Sequence, residues 1–320
     1  MKKAYLPLLC AMLLIGGMVG AADIFQNNEI IFPEIAAIAA GALLTPQLAW
    51  RTDDLHTFAA ITVCAALGLG IVLWLPGAVW LQMSIAYLLA SVLFLLSRTS
   101  FAPMISAAVL PVLLQTESVV YLIAACILTA GILCVRRILV RNGILTETAF
   151  EKAPLPDKSS IFQAVIRWLI ASAVIFTALH WNVRFTAAPP LLVAFTEFWK
   201  PAAVSRKRPF AVISLLSLCA ACGAGIRFLF CERFGIPACI AAMLTVLTVY
   251  GIMKALRLML PPAAAIAILA FLIPAEALLV FPLQILLGIS VLVGASFLYS
   301  EQAAQRTIRN GRRLVHAFHK

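Results

Sequence analysis

The chain has 320 residues, of which 63% are hydrophobic and 12% charged, with a mean hydropathy of +1.04. A soluble fold of this size cannot cover so much apolar side chain with so little polar surface, so most of the chain has lipid as its solvent. That excludes a cytosolic enzyme, a secreted disulfide scaffold and a nucleic-acid-binding domain, and the net charge of +11 is read by where the charges fall.

Apolar runs between polar breaks predict twelve segments, at 4–22, 30–50, 57–75, 78–96, 102–115, 118–135, 164–181, 186–200, 210–230, 236–256, 261–275 and 277–299. The first follows Met1-Lys2-Lys3 and ends at Gly20-Ala21-Ala22, which could pass for a signal-peptide cleavage site. Its 19 residues suffice to span a bilayer and 164–181 is its counterpart, so it is read as a retained span. Cys10 follows Leu8-Leu9 rather than small residues, against lipoprotein processing there. Segments 102–115 and 261–275 are short and begin at proline, which suits the first turn of a helix.

Positive charge decides whether those two cross. If all twelve cross from a cytoplasmic N-terminus, 21 of the 24 Lys and Arg are cytoplasmic and only Arg184, Arg227 and Arg233 lie outside. If the short pair re-enter, the split becomes 12 to 12. The crossing arrangement is therefore expected, in the inner (cytoplasmic) membrane, with both termini cytoplasmic.

The two halves resemble each other. Cys64-Ala-Ala-Leu-Gly68-Leu-Gly70-Ile71 matches Cys219-Ala-Ala-Cys-Gly223-Ala-Gly225-Ile226 at a shift of 155, which also pairs Arg51 with Arg206 and Thr45-Pro46 with Lys200-Pro201. A shift of 159 then pairs Arg98 with Arg257, Pro103 with Pro262 and Glu117 with Glu276, so a four-residue insertion separates the two blocks. The expected fold is an all-α polytopic membrane protein of two tandem, parallel six-segment repeats, each with one short proline-initiated helix. The units are 1–135, a cytoplasmic linker 136–161, 162–300, and a basic tail 301–320 that lies on anionic lipid or is simply solvated.

Pro189-Pro190-Leu-Leu-Val-Ala-Phe, Arg206-Lys-Arg-Pro209, Gly223-Ala-Gly225 and Arg257-Leu-Met-Leu260-Pro261-Pro262-Ala263 resemble the HPP integral-membrane family. The resemblance covers about 182–300, with a more worn copy over about 28–135. The family's signature His is Leu260 here and Phe101 in the first copy. The resemblance implies transport of a small anion, nitrite among them. A weaker resemblance, over 186–300, is to the fusaric-acid-resistance-type aromatic acid exporters.

No catalytic constellation, metal cluster or nucleotide motif is legible, so the chain is read as a non-enzyme without a cofactor. Cys219 and Cys222 form a CxxC inside an apolar run and are read as core. His56, His180, His316 and His319 stand at segment ends or in the tail. The candidate chemistry is polar groups at membrane depth. Glu34 and Glu197 are candidate coupling carboxylates, with an interfacial position as the competing reading of each. Arg98, Pro103, Ser106, Arg257, Pro261 and Pro262 are the candidate substrate site. An Arg precedes each proline-started helix, whose positive end suits a small anion; ordinary anchoring at the headgroups is the alternative for both Arg. The expected partners are an anionic solute and membrane lipid, with a homo-oligomer open. A polar cavity among the short helices would mark a transporter; dry, tight packing there would mark a structural component.

Overall fold

The computed structural model describes residues 2–45, 47–147, 149–199 and 204–318, with side chains for 5–45, 47–147, 149–199 and 206–299. The described residues are helical and contain no strand. In chain order the helices are α1 (Lys2–Phe25), α2 (Glu34–Leu43), α3 (Asp54–Trp74), α4 (Val79–Ser97), α5 (Pro103–Leu114), α6 (Val120–Arg141), α7 (Lys158–His180), α8 (Pro189–Phe198), α9 (Pro209–Ile226, continued by a π-helical turn Arg227–Arg233), α10 (Ala238–Ala255), α11 (Pro262–Leu269) and α12 (Phe281–Phe318). Among the described residues, eight helices have an apolar stretch long enough to cross a bilayer: α1, α3, α4, α6, α7, α9 with its π turn, α10 and the Phe281–Tyr299 part of α12. The chain is a multi-pass membrane protein.

Helix ends are set locally. Asp53 caps α3, its Oδ1 accepting from the His56 N–H at 2.7 Å, and Asp157 caps α7 by accepting from the Ser160 N–H at 2.8 Å. The Ser160 hydroxyl and N–H hold the Asp157 carboxyl below its ordinary range. Prolines open α5, α8, α9 and α11 in the first turn, where their missing N–H is unneeded.

The expectation of one short helix in each half is corrected to two. Segments 30–50 and 186–200 contain only the ten-residue helices α2 and α8, because Pro33 and Pro189-Pro190 start them late. The four short helices are almost wholly buried, and the long ones surround them with part of their apolar surface outward. Two close approaches hold short helices against long ones. Gly68 of α3 faces the Ala108 carbonyl of α5, and Gly223 of α9 faces the Ala267 carbonyl of α11; a Cβ at either glycine would collide with that backbone.

Hydrogen bonds sort the helix ends into two groups. At one end, Arg137 pairs with Asp54 at 2.7 Å, the Arg51 N–H donates to Ser100 at 2.8 Å, Arg136 donates to the Ala42 carbonyl, Arg208 donates to the Leu256 carbonyl at 3.1 Å and the Trp50 indole donates to Glu197 at 2.8 Å. We name this the basic end. At the other, Gln82 donates to the Leu75 carbonyl at 2.7 Å, Gln115 to Gln82 at 2.9 Å, the Phe185 N–H to Gln284 at 3.0 Å, and Arg227 to the Ala270 and Ile273 carbonyls at 2.5 and 2.6 Å. These contacts carry α5 and α11 away from the basic end and bring α2 and α8 toward it. Each short helix thus continues toward the end of the bundle opposite to the one its segment enters from, α2 and α8 toward the basic end and α5 and α11 away from it.

The helix α12 continues past residue 300, but the side chains there, and with them the lipid contacts expected of the tail, lie outside the described residues. So do Pro46 and Lys200–Pro201 of the paired motifs and the expected neighbour of Glu197.

Candidate functional site

The four short helices meet at their first turns. A small cavity at the meeting point is lined by Glu34 and Ala37 of α2, Pro103 and Ser106 of α5, Pro190 and Val193 of α8, and Pro262 and Ala265 of α11. Each helix contributes two residues three apart, one turn of one face. It is too narrow to hold more than about one water molecule. Its lining is apolar except for Glu34 and Ser106.

Glu34 is 1% exposed. The Ser106 hydroxyl donates to its Oε1, while its Oε2 is buried without a hydrogen-bond partner. Tyr121, the nearby phenol, is committed elsewhere and donates to the Ala107 carbonyl at 2.9 Å. Four helix N-termini point partial positive charge at this spot. Their first N–H groups are largely engaged in tight turns, among them Ala36 to Pro33, Ile105 to Ala102, Leu191 to Ala188 and Ala264 to Pro261. What reaches the cavity is the field of the helices rather than a ring of free donors.

The sequence-derived candidates divide here. Glu34, Pro103, Ser106 and Pro262 come together in the cavity. Pro261 caps α11 just outside it. Arg98 and Arg257 do not line it. Both sit in the left-handed conformation at the ends of α4 and α10, with φ of 53° and 49°. Arg98 donates to the Ala153 carbonyl of the linker at 2.5 Å, and Arg257 is exposed. Glu197 is engaged by Trp50, away from Glu34. Sequence reasoning missed Ala37, Pro190 and Val193, whereas Ala265 is among the small residues after Pro262 that let a ligand approach. The signal was present in Pro33 and Pro189-Pro190, which mark late helix starts inside segments read as full spans.

A charged cleft of about 370 Å³ opens at the basic end between α3 and α6, lined among others by Asp53, Asp54, Arg136, Arg137 and Glu147. Burial raises the Asp53 carboxyl, but the His56 N–H and ring, with Lys152, outweigh it and hold the group below its ordinary range. Thr52, Asp54 and Arg136 also line a small cavity that reaches Ile38 and Phe101. Ile38 lies one turn after Glu34 in α2, and Phe101 stands two residues before Pro103. Phe101 and Trp50 make an edge-to-face pair at 5.1 Å.

Compared with models of protein families, with curated proteins and with solved structures, the chain matches none. Function is therefore argued from the site.

Proposed function

We propose that the chain is a transporter of a small solute, with a preference for small anions such as nitrite, whose path crosses the bundle where the four short helices meet. The observation that carries this reading is Glu34: a buried carboxylate with one donor and one unpartnered oxygen, placed where four helix N-termini converge. Isolated charge in such a setting is costly. Glu34 is the single ionisable side chain in the cavity lining, so a proton taken up there balances an anion entering beside it. The helix fields favour that anion. Arg98 and Arg257 serve in this reading as charges an anion meets at the basic end, rather than as ligands in the cavity.

The same reading takes the chain as a tandem duplication of parallel units, with the basic end, both termini and the linker cytoplasmic. Neighbour relations support the duplication. Helix α1 lies on α10 as α7 lies on α4, α5 on α8 as α11 on α2, and α3 on α6 as α9 on α12. Gln26 and Asn182, 156 apart, share a positive φ, as do Arg98 and Arg257, 159 apart. The concentration of Lys and Arg at one end supports the sidedness.

The narrow, mostly apolar cavity favours a second reading, a membrane component with no pathway, and disfavours a solute as large as an aromatic acid. Uptake into proteoliposomes, screened over nitrite, nitrate, formate and aromatic acids with an imposed proton gradient, tests the choice. Gradient-driven uptake of a small anion, lost in Glu34→Gln, supports a coupled transporter. No uptake of any solute by folded protein supports the second reading.

A further inference from the structure

The seam between α4, α7 and α8 contains a buried charge that nothing above uses. Arg167 lies near the middle of α7 and is 7% exposed. Among the described residues it has no hydrogen bond and no ion pair, and its Nε is buried without a partner. The ionisable group within its electrostatic reach is the Tyr87 phenol. Tyr87 pairs with Thr196 at 3.1 Å and is hydrogen-bonded to Ser91, while Thr196 gives its own proton to the Leu192 carbonyl at 2.9 Å. Beside them, Trp168 donates to Ser84, and Ser84 pairs with Ser172 at 2.6 Å. The seam is thus rich in hydroxyls but holds no carboxylate against the guanidinium. Glu197, next to Thr196 in sequence, is turned to Trp50.

The Nε is fully enclosed while the terminal nitrogens keep slight exposure; a guanidinium so largely buried without a counter-charge is costly, and buried charges are ordinarily paired. The matching place lies between α1, α10, α2 and α11. There, Ala11, Ala40, Val246 and Tyr250 line a narrow void with room for about one water molecule. Shifts of 156 for Ala11 and Ala40, and of 159 for Val246 and Tyr250, lead to Arg167, Thr196, Tyr87 and Ser91. The polar cluster occupies the position of that cavity.

We propose that Arg167 is the charged ligand of a binding site for a small monovalent oxyanion, completed by the hydroxyls of Tyr87 and Ser91, which can turn toward it. An oxyanion brings the acceptors the seam lacks and matches the guanidinium fork. Thr196 stands one turn along α8 from Val193 of the Glu34 cavity, so the site adjoins the pathway. The assignment rests on the anion-transport reading for its biological sense, but the test below reads binding alone.

The detergent-purified full chain is heated in sodium gluconate, with nitrite or nitrate replacing gluconate at constant ionic strength. Binding raises the unfolding midpoint with anion concentration, by about 3 °C near saturation. Arg167→Gln abolishes that rise and is at least as stable as the parent in gluconate, because it removes an unpaired charge. Arg167→Lys retains a reduced rise. Arg98→Gln and Arg257→Gln keep the full rise. The proposal is overturned if the Gln variant keeps the rise, if no anion produces one in the parent, or if Arg167→Gln is already unfolded in gluconate, which would mean that the guanidinium serves a partner within the protein. Added phosphatidylglycerol reproducing the rise in place of the free anions would also overturn it in favour of a lipid headgroup. A loss confined to Arg167 variants, in a protein that shows no uptake, would sustain the site and discard transport.

Discussion

The seam of α1 with α10 and the seam of α4 with α7, counterparts under the proposed duplication, differ in chemistry. Between α1 and α10 the facing residues include Ala11, Ala40 and Val246 around an apolar cavity. Between α4 and α7 the corresponding places hold Arg167, Thr196 and Tyr87. The central cavity divides in the same way but in the opposite sense. Glu34 and Ser106 come from the first half, and their counterparts Pro190 and Ala265 from the second. Glu34 and Arg167 are each buried charges whose counterpart position holds an uncharged residue, Pro190 and Ala11. Close packing of small residues and glycines suffices to keep the scaffold, which leaves a few positions free to take on polar chemistry of opposite sign.

The largest effect that would test this division is on transport. Glu34→Gln should lower the initial rate of proton-driven uptake about a hundredfold, roughly 2.7 kcal/mol of barrier, while Pro190→Ala should change it less than about twofold. Equal losses would show the halves to be functionally equivalent and break the comparison. Next come the two glycine contacts. Gly68→Val and Gly223→Val should each destabilise by about 1–3 kcal/mol through overpacking, seen as matched drops in thermal midpoint; a drop at one site only would mean that the shared framework is not shared at that contact.

Smaller is Ser106→Ala, which removes the donor to Glu34. A roughly tenfold fall in uptake is expected, about 1.4 kcal/mol, with Ala265→Ser nearly silent; a silent Ser106→Ala would separate the hydroxyl from the function of the carboxylate. The smallest concerns a cap at the basic end with no second copy, since the position matching Asp53 is Arg208. The Asp53 carboxyl is held below its ordinary value of 3.8 in the folded protein. Its contribution is therefore fully present above that value and is lost as the pH falls through the lower folded one. The stability difference between parent and Asp53→Asn should be at most about 1 kcal/mol at neutral pH, reduced by screening because the side chain is 43% exposed. A difference that persists unchanged to pH 2 would remove the carboxylate's charge from the explanation.

Much of this architecture is legible in the sequence because lipid forces one decision on every long apolar run. The eight long helices follow from hydropathy. Pro103 and Pro262 mark two of the short helices, and Glu34 is conspicuous as a charge inside an apolar run. The other two short helices are not legible from hydropathy, since the coil around Pro33 and Pro189-Pro190 is as apolar as the helices that follow; buried in protein, it needs no polar marker. The convergence of four helix starts is tertiary geometry and has no local signature. Arg167 was counted among the charges at the cytoplasmic end because it falls three residues into segment 164–181, but α7 begins at Lys158, which draws that arginine into the bundle.

The π-helical turn at Arg227–Arg233 lies in the interval where the shift between the halves changes from 155 to 159. The helix formed by α9 and this turn is 25 residues long against 21 in α3, and Arg227 at the start of the turn binds the Ala270 and Ile273 carbonyls at the end of α11. Helix α5 is tethered by a side-chain amide instead: Gln115 donates to the Val112 carbonyl of its own helix and to Gln82 of α4. A rearrangement at the centre would therefore be mechanically lopsided: α11 is fastened by a guanidinium to its outer neighbour and would drag α9 with it, while a neutral amide hydrogen bond, the weaker coupling, ties α5 to α4.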